Sequence, residues 1–338
     1  MRMKRATAAV AAGIAAAPAV AVAEPPMAYL HTFGPAGNPA TSLGWGLGLI
    51  SAVVTLVVGI LLLVALLRRR VDAKDAVGLA VRSDSGGMSW IYTGVTLTVI
   101  VLLGCAIWTM ITLAAVAMPA KTALSLSVTG TQWWWAVRYQ NDDPSHVFST
   151  ANEIHIPIGE PIRVELNSYD VIHSFWIPQL AGKTDVIPGQ TNVMWLQADK
   201  PGIYRGQCSE YCGAQHAHMA VYVIAESRAA FQAWSANQLR DAATPADEAA
   251  RAGQEAFTAR CGACHAVGGT GAGGILGPNL SHFMTRKTIA AGLLENTPGN
   301  LSAWISDSQA LKPGSRMPSL ALSGPELHSI VGFLQTLQ

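Results

Sequence analysis

A chain of 338 residues can hold two modest domains and further segments, but one that is 50% hydrophobic and only 13% charged is too greasy for an ordinary soluble protein. Its formal net charge is +1, and no basic cluster interleaved with aromatics lies outside the flanks of its apolar runs. Nucleic acid is therefore excluded as a partner.

Residues 1–23 read as a secretory signal peptide. Arg2, Lys4 and Arg5 form the basic start, an Ala-rich apolar stretch follows, and Ala21-Val22-Ala23 marks cleavage before Glu24. The alternative is an uncleaved Ala-rich leader, and neither contributes to the fold. The segment 24–121 holds two charge-free runs, Trp45–Leu67 and Trp90–Ala120. Each is long enough to cross ~30 Å of hydrocarbon, which predicts transmembrane helices over about 45–67 and 90–114. Between them lie Arg68, Arg69, Arg70, Lys74 and Arg82, so the positive-inside rule puts this loop in the cytoplasm. Everything after Lys121 is then outside, in the periplasm of a bacterium.

Over 122–237 the pattern changes to short alternating stretches rich in Val, Ile, Trp and Tyr. They are LSLSVTGTQWWWAVRY, EIHIPI, IRVELNSY, TNVMWLQA, IYRG and MAVYVIA, punctuated by Pro and Gly. That predicts a compact all-β sandwich or barrel, closed by a helix over RAAFQAWSANQL. Residues 238–248 lack apolar periodicity and read as a linker, and 249–338 turn to helical pieces separated by Gly-rich loops.

The stretch QCSEYCGAQHAHM carries Cys208 and Cys212 four apart, His216 four later and Met219 three after that; His173 lies upstream in YDVIHSFWIP. Two thiolates, two imidazoles and a thioether are a soft donor set that suits copper. A mononuclear blue-copper site needs one Cys, whereas a second lets both sulfurs bridge two ions. The alternative for the cysteines is a periplasmic disulfide. His218, His155 and His146 have no matching ligand partner, and Cys105 in the second apolar run reads as a small filler. CGACH, Cys261 to His265, is a c-type haem attachment motif: Cys261 and Cys264 bond the haem covalently and His265 is the proximal ligand. A thioredoxin-like pair or half a zinc site is the weaker reading of the CxxC alone.

With these motifs the chain resembles subunit II of cytochrome c oxidases with a small class I cytochrome c fused behind it, as in caa-type haem–copper oxidases. The resemblance implies a transmembrane hairpin, an all-β cupredoxin-like barrel and an all-α cytochrome domain. It implies a dinuclear copper A centre bridged by Cys208 and Cys212, with His173 and His216 as terminal ligands and Met219 as a weak axial one. Glu210 would give copper its backbone carbonyl and a magnesium ion at the subunit I border its carboxylate. Trp133 in GTQWWW would be where electrons enter. Trp134 and Trp135 can equally be core packing, and Thr131 and Trp134 depart from the family's usual His and Tyr. Lys183 and Asp185 are either a subunit I contact or a polar turn.

In the cytochrome domain, Met317 in KPGSRMP is the implied distal iron ligand, with Met284 in SHFMTRK as competitor. Pro278 would accept a hydrogen bond from the His265 ring, Trp304 would approach a haem propionate, and Phe257 would pack on the C-terminal helix. The family's Glu before the second helix is missing. Asp84 is the carboxylate of that stretch, which leaves proton uptake through this subunit in doubt.

The implied activity is that of an aa-type cytochrome c oxidase. Electrons would run from haem c to copper A to haem a of subunit I, for dioxygen reduction coupled to proton translocation. Subunits I and III, membrane lipid and a soluble or membrane cytochrome c donor are the implied partners. The alternatives are the electron-accepting subunit of a nitric oxide reductase with a copper A centre, or a tethered carrier without an enzyme partner. The linker of roughly ten to fifteen residues suggests a tethered cytochrome at an effective concentration on the order of millimolar, for which a weak docking surface suffices. Asp142 and Asp143 are the acidic residues following the Trp patch.

Overall fold

A computed structural model describes residues 27–68, 86–117, 119 and 121–338. The signal-peptide reading, the basic residues from Arg69 to Arg82 and Asp84 lie outside the described residues.

The two apolar runs are helices α1 (Asn38–Leu67) and α2 (Gly86–Ala115). Both start earlier than their charge-free runs. Pro39 sits in the first turn of α1, where its missing N–H would have had no helical partner anyway. No residue of α1 is buried, which suits a lipid-facing helix and not a soluble core. The helices approach closely where Gly46 faces Trp108: a Cβ there would lie 2.1 Å from the ring.

The β domain comprises β1 (Leu124–Thr131), β2 (Trp134–Gln140), β3 (Phe148–Ala151), β4 (Glu153–Pro157), β5 (Ile162–Ser168), β6 (His173–Phe175), β7 (Thr184–Val186), β8 (Asn192–Leu196), β9 (Gly202–Gln207) and β10 (Ala220–Glu226). One sheet runs β3-β2-β1-β5-β8, a second β4-β10-β9, and β6 and β7 form a short ribbon. β1 pairs with β5 in parallel and with β2 antiparallel. Alternate residues point inward. Leu126 and Val128 of β1 and Ile162, Val164 and Leu166 of β5 are fully buried, in one core with Ile154 and Ile156 of β4 and Val221 and Val223 of β10. Helix α3 (Arg228–Gln238) closes one end. Its Trp234 stacks on His155 at 4.1 Å while His155 Nδ1 lies 2.9 Å from Glu226, which accounts for a histidine with no metal partner. The domain sits on the membrane helices through Trp195, whose indole donates to the Val116 carbonyl at 2.9 Å.

The cytochrome domain comprises α4 (Glu248–Cys261), β11 (Thr288–Ile289), β12 (Leu294–Glu295), α5 (Pro298–Ser306), α6 (Ser308–Leu311) and α7 (Gly324–Gln335). α4 and α7 cross closely. Gly253 lies under the Ser329 carbonyl, which a Cβ would meet at 2.3 Å, and Phe257 packs on Phe333 with ring centroids 5.5 Å apart. α7 opens with a capping box between Ser323 and Glu326. Phe257→Ala is expected to cost about 3–5 kcal/mol of this domain's stability by leaving a cavity, seen as a lower urea midpoint.

The ribbon β11–β12 is an addition to the expected helices. Its turn carries positive φ at Ala290, Ala291 and Gly292. That turn reaches the β domain, where Ala220 N–H donates to the Ala291 carbonyl at 3.0 Å. The buried Glu153 accepts from the Lys287 and Thr288 amides at 2.7 and 3.1 Å. The linker itself is held as well: Ala242 N–H donates to the Gly268 carbonyl, and the Arg240 carbonyl lies 3.0 Å from His282 Nε2. Beyond the tether that the linker supplies, the cytochrome domain is seated on the β domain by main-chain and side-chain hydrogen bonds.

Candidate copper and haem sites

β9 delivers the chain to Cys208, and two bonds close the loop that follows. Cys208 N–H donates to the Met219 carbonyl at 3.0 Å, and Gln207 Nε2 to the His216 carbonyl at 2.9 Å. Gly213, at φ +114°, makes the tight return. Within this loop Cys208 and Cys212 have their sulfurs 3.8 Å apart, far beyond the ~2.05 Å of a disulfide, and both are free. His173, the first residue of β6, puts Nδ1 3.9 Å from Cys208 Sγ; His216 puts Nδ1 3.6 Å from Cys212 Sγ. Met219 Sδ lies 3.9 Å from Cys212 Sγ, and the Glu210 carbonyl 3.3 Å from Cys208 Sγ. All six candidate ligands therefore converge.

Electrostatics match this geometry. A hydrogen bond from Cys212 and another from His173 hold the Cys208 thiol down at about 4, against the effect of burial, while the same bond with Cys208, burial and the charge on Cys208 drive the Cys212 pKa up. Ionising both sulfurs would therefore need cations between them, and the soft donor set fits copper. Burial opposes charge on His173, but its bonds to Cys208 and Asp170 outweigh it and raise its pKa. Asp170 Oδ1 lies 2.9 Å from His173 Nε2 and orients the ring so that Nδ1 faces the sulfurs. Gly130 leaves the ring its space, since a Cβ there would lie 2.7 Å from His173 Cδ2. Glu210 is itself exposed. Glu210→Gln is expected to leave copper bound, because its carbonyl and not its carboxylate faces the cluster, and the copper content of the variant checks this.

Trp133 is 8% exposed, and its indole N–H donates to the Cys212 carbonyl at 3.0 Å. Trp135 is core: it is fully buried, edge-on to Phe175 at 5.3 Å and to His173 at 5.9 Å. Thr131 and Trp134 face each other across the β1–β2 pair. Asp143 is engaged locally with Ser145 and His146, so the carboxylate beside the patch is Asp170, which accepts from the Gln132 amide at 2.8 Å. Lys183 and Asp185 are exposed, with Asp185 opposite Ser174 in the β6–β7 ribbon. His218 is not simply solvated, because its Nδ1 lies 2.7 Å from Gln215 Oε1.

In the second domain Cys261 ends α4, and the His265 amide donates to its carbonyl at 3.0 Å, so the haem motif continues the helix as a turn. His265 Nδ1 donates to the Pro278 carbonyl at 2.8 Å, which leaves Nε2 as a free electron pair. Burial lowers the His265 pKa and keeps the ring neutral. Gly277 gives the ring room: a Cβ would lie 2.6 Å from His265 Cε1. These residues fit a covalently held haem with a histidine on its iron. Met317 and Met284 both border the domain core, as does Trp304 of α5. Met317 stands on a loop fixed by Ser308 Oγ and Gln309 Nε2, each 2.7 Å from its carbonyl. Met284 lies in a short 3₁₀ helix, Phe283–Thr285, with its amide on the Leu337 carbonyl at 2.8 Å.

Sequence reasoning passed over Asp170, Lys312 and Arg316. Lys312 Nζ donates to the carbonyls of Trp133, His218 and Ala290, and burial pushes its pKa down to about 7 against the pull of Cys212. Arg316 Nη2 lies 3.1 Å from Asp170 Oδ2, with its guanidinium over the Tyr169 ring. Asp170 carries a readable signal, a carboxylate three residues before the candidate ligand His173. The two cations carry none, because their partners are remote in sequence.

The family described as cytochrome c oxidase subunit II, periplasmic domain, matches residues 143–226, and the cytochrome c family matches residues 250–338. Cytochrome c oxidase subunit 2 of Alkalihalophilus pseudofirmus is 41% identical over 215 residues, covering 63% of this chain and 61% of the relative. The chain carries a cytochrome c oxidase subunit II periplasmic domain followed by a cytochrome c domain. The Bacillus subtilis subunit 2 is 30% identical over 231 residues, covering 65% of this chain and 64% of that one. The chain thus spans a little over three-fifths of the length of these curated relatives. A crystal structure of the periplasmic domain of subunit II from Bradyrhizobium japonicum is 32% identical, covers 36% of this chain and 96% of that one, and superposes with a TM-score of 0.34. The subunit II match implies copper in the β domain, and the cytochrome c match implies haem in the helical one. With two apolar helices ahead of a periplasmic domain, the chain is a membrane protein with periplasmic domains.

Proposed function

We propose that this chain is the electron-accepting subunit of an aa-type cytochrome c oxidase in a bacterial inner membrane. It would act beside subunits I and III and take electrons from a cytochrome c donor. When bound, haem c and copper A supply one-electron transfer from that donor toward haem a of subunit I, where dioxygen is reduced and protons are translocated. The chain's own residues do the rest. Cys208, Cys212, His173, His216, Met219 and the Glu210 carbonyl hold copper. Cys261, Cys264, His265 and Met317 hold haem, Pro278 fixes the tautomer of His265, and Trp304 lines the haem. The Glu210 carboxylate would hold magnesium at the subunit I border.

One observation carries the reading. Trp133 joins the two sites, because its indole donates to the carbonyl of a copper ligand while its own carbonyl is held by the cytochrome domain. Purification of the native complex tests it. The expected result is co-purification with a haem-a-containing large subunit and oxygen uptake. Isolation with a nitric-oxide-reducing partner, or with no large subunit, would overturn it.

A further inference from the structure

Lys312 is 3% exposed, so its amino group lies out of water. Burying such a group is tolerated only when its donors are satisfied. Here each of the three N–H bonds has a carbonyl oxygen, on Trp133 at 2.8 Å, His218 at 2.7 Å and Ala290 at 2.9 Å. The choice of acceptors is informative. Trp133 bonds to the Cys212 carbonyl, and His218 lies between the candidate ligands His216 and Met219. One acceptor therefore lies in the copper-binding loop and a second on a residue bonded to that loop. The third is in the turn of the cytochrome ribbon that meets Ala220. Lys312 itself begins the loop that ends in Met317. It is bonded at once to the copper loop, to the Trp hairpin and to its own domain.

We propose that Lys312 is a positioning residue. It clamps the distal haem loop onto the copper domain, so that transfer between the two sites occurs in one fixed docking geometry and not through a diffusing tethered domain. The proposal rests on the copper and haem reading above. Other contacts support the same seat. Gln215 Nε2 donates to the Pro313 carbonyl at 3.1 Å, Gly314 lies against the Trp133 ring, and Arg316 pairs with Asp170. Arg316 is half exposed and contributes little by itself. With Trp133 covered by the chain's own loop, an outside donor must reduce the cytochrome domain rather than reach copper directly.

The test uses the native complex, wild type and Lys312→Met, with amide hydrogen exchange and rapid kinetics. The amides of Ala220, Lys287 and Thr288 bond to acceptors across the interface. In Lys312→Met they are expected to exchange at least about tenfold faster, with β1, β5 and α7 unchanged. The haem-to-copper rate should fall at least about tenfold, with the absorption spectra and midpoint potentials of both centres unaltered. A general structural defect would move those spectra and potentials as well. Unchanged exchange and rate in a variant with both centres intact would overturn the clamp. Absence of copper or haem from the wild type would instead overturn the functional reading beneath it. If Lys312→Met loses its chromophores, Lys312→Gln replaces it with the same expected direction. The wild type alone is also decisive, since exchange of these three amides at free-peptide rates would mean that no clamp exists.

Discussion

Cys212→Ser is expected to abolish oxygen uptake by the assembled complex while leaving the haem c absorption intact. The reason lies in the donor set. Cys212 stands between Cys208 Sγ at 3.8 Å, His216 Nδ1 at 3.6 Å and Met219 Sδ at 3.9 Å, so it is the sulfur shared by most of the cluster. A hydroxyl in its place is a hard, weakly acidic donor that cannot bridge two soft ions. His216→Ala should have the same result, since it removes the imidazole on that side. Neither change touches α4, α7 or the His265–Pro278 bond, so the haem should keep its spectrum. Full turnover by Cys212→Ser would sink the copper assignment.

Met317→Ala is expected to remove the weak far-red sulfur-to-iron band of the ferric protein and to lower the haem potential substantially, because a thioether paired with histidine raises it. The proposed role rests on the loop that carries Met317. Its carbonyl is fixed by Ser308 and Gln309, and five residues earlier Lys312 anchors the same loop to the copper domain. Met284→Ala should leave the band in place. If it is Met284→Ala that removes the band, the two methionines exchange roles and the loop argument fails.

How much of this could be read from the chain depended on whether the signal was local. Cys208, Cys212, His216 and Met219 share one loop and CGACH is contiguous, so residue type and spacing sufficed. His173 could be placed only at the start of a strand or a loop, and it opens the short strand β6. The stretch LSLSVTGTQWWWAVRY read as one run because Val, Thr, Trp and Tyr recur through it with no Pro to break it. It is in fact a hairpin, β1 and β2, that turns at Gln132–Trp133, which is what brings Trp133 to Cys212. The short strands β3 and β7 left no periodic mark. The docking of the two domains was not legible at all. Lys312 bonds to carbonyls 94 and 179 residues away, and a carbonyl has no sequence identity to recognise. A polar linker then suggested a tether, although the bonds that seat the domain lie elsewhere in the chain.

The central claim is that electrons pass from haem c to copper through the docked contact at Trp133. Haem c should be reduced rapidly in the intact complex and copper absorbance followed, at low and high salt, in wild type and Trp133→Gln. Most interface bonds pair a side chain with a main-chain group, and those of Lys312 and Glu153 are buried, so salt screens them little. The account predicts an internal rate nearly independent of ionic strength in the wild type and markedly slower in Trp133→Gln. A rate that falls steeply with salt, or that is unchanged by Trp133→Gln, would contradict it.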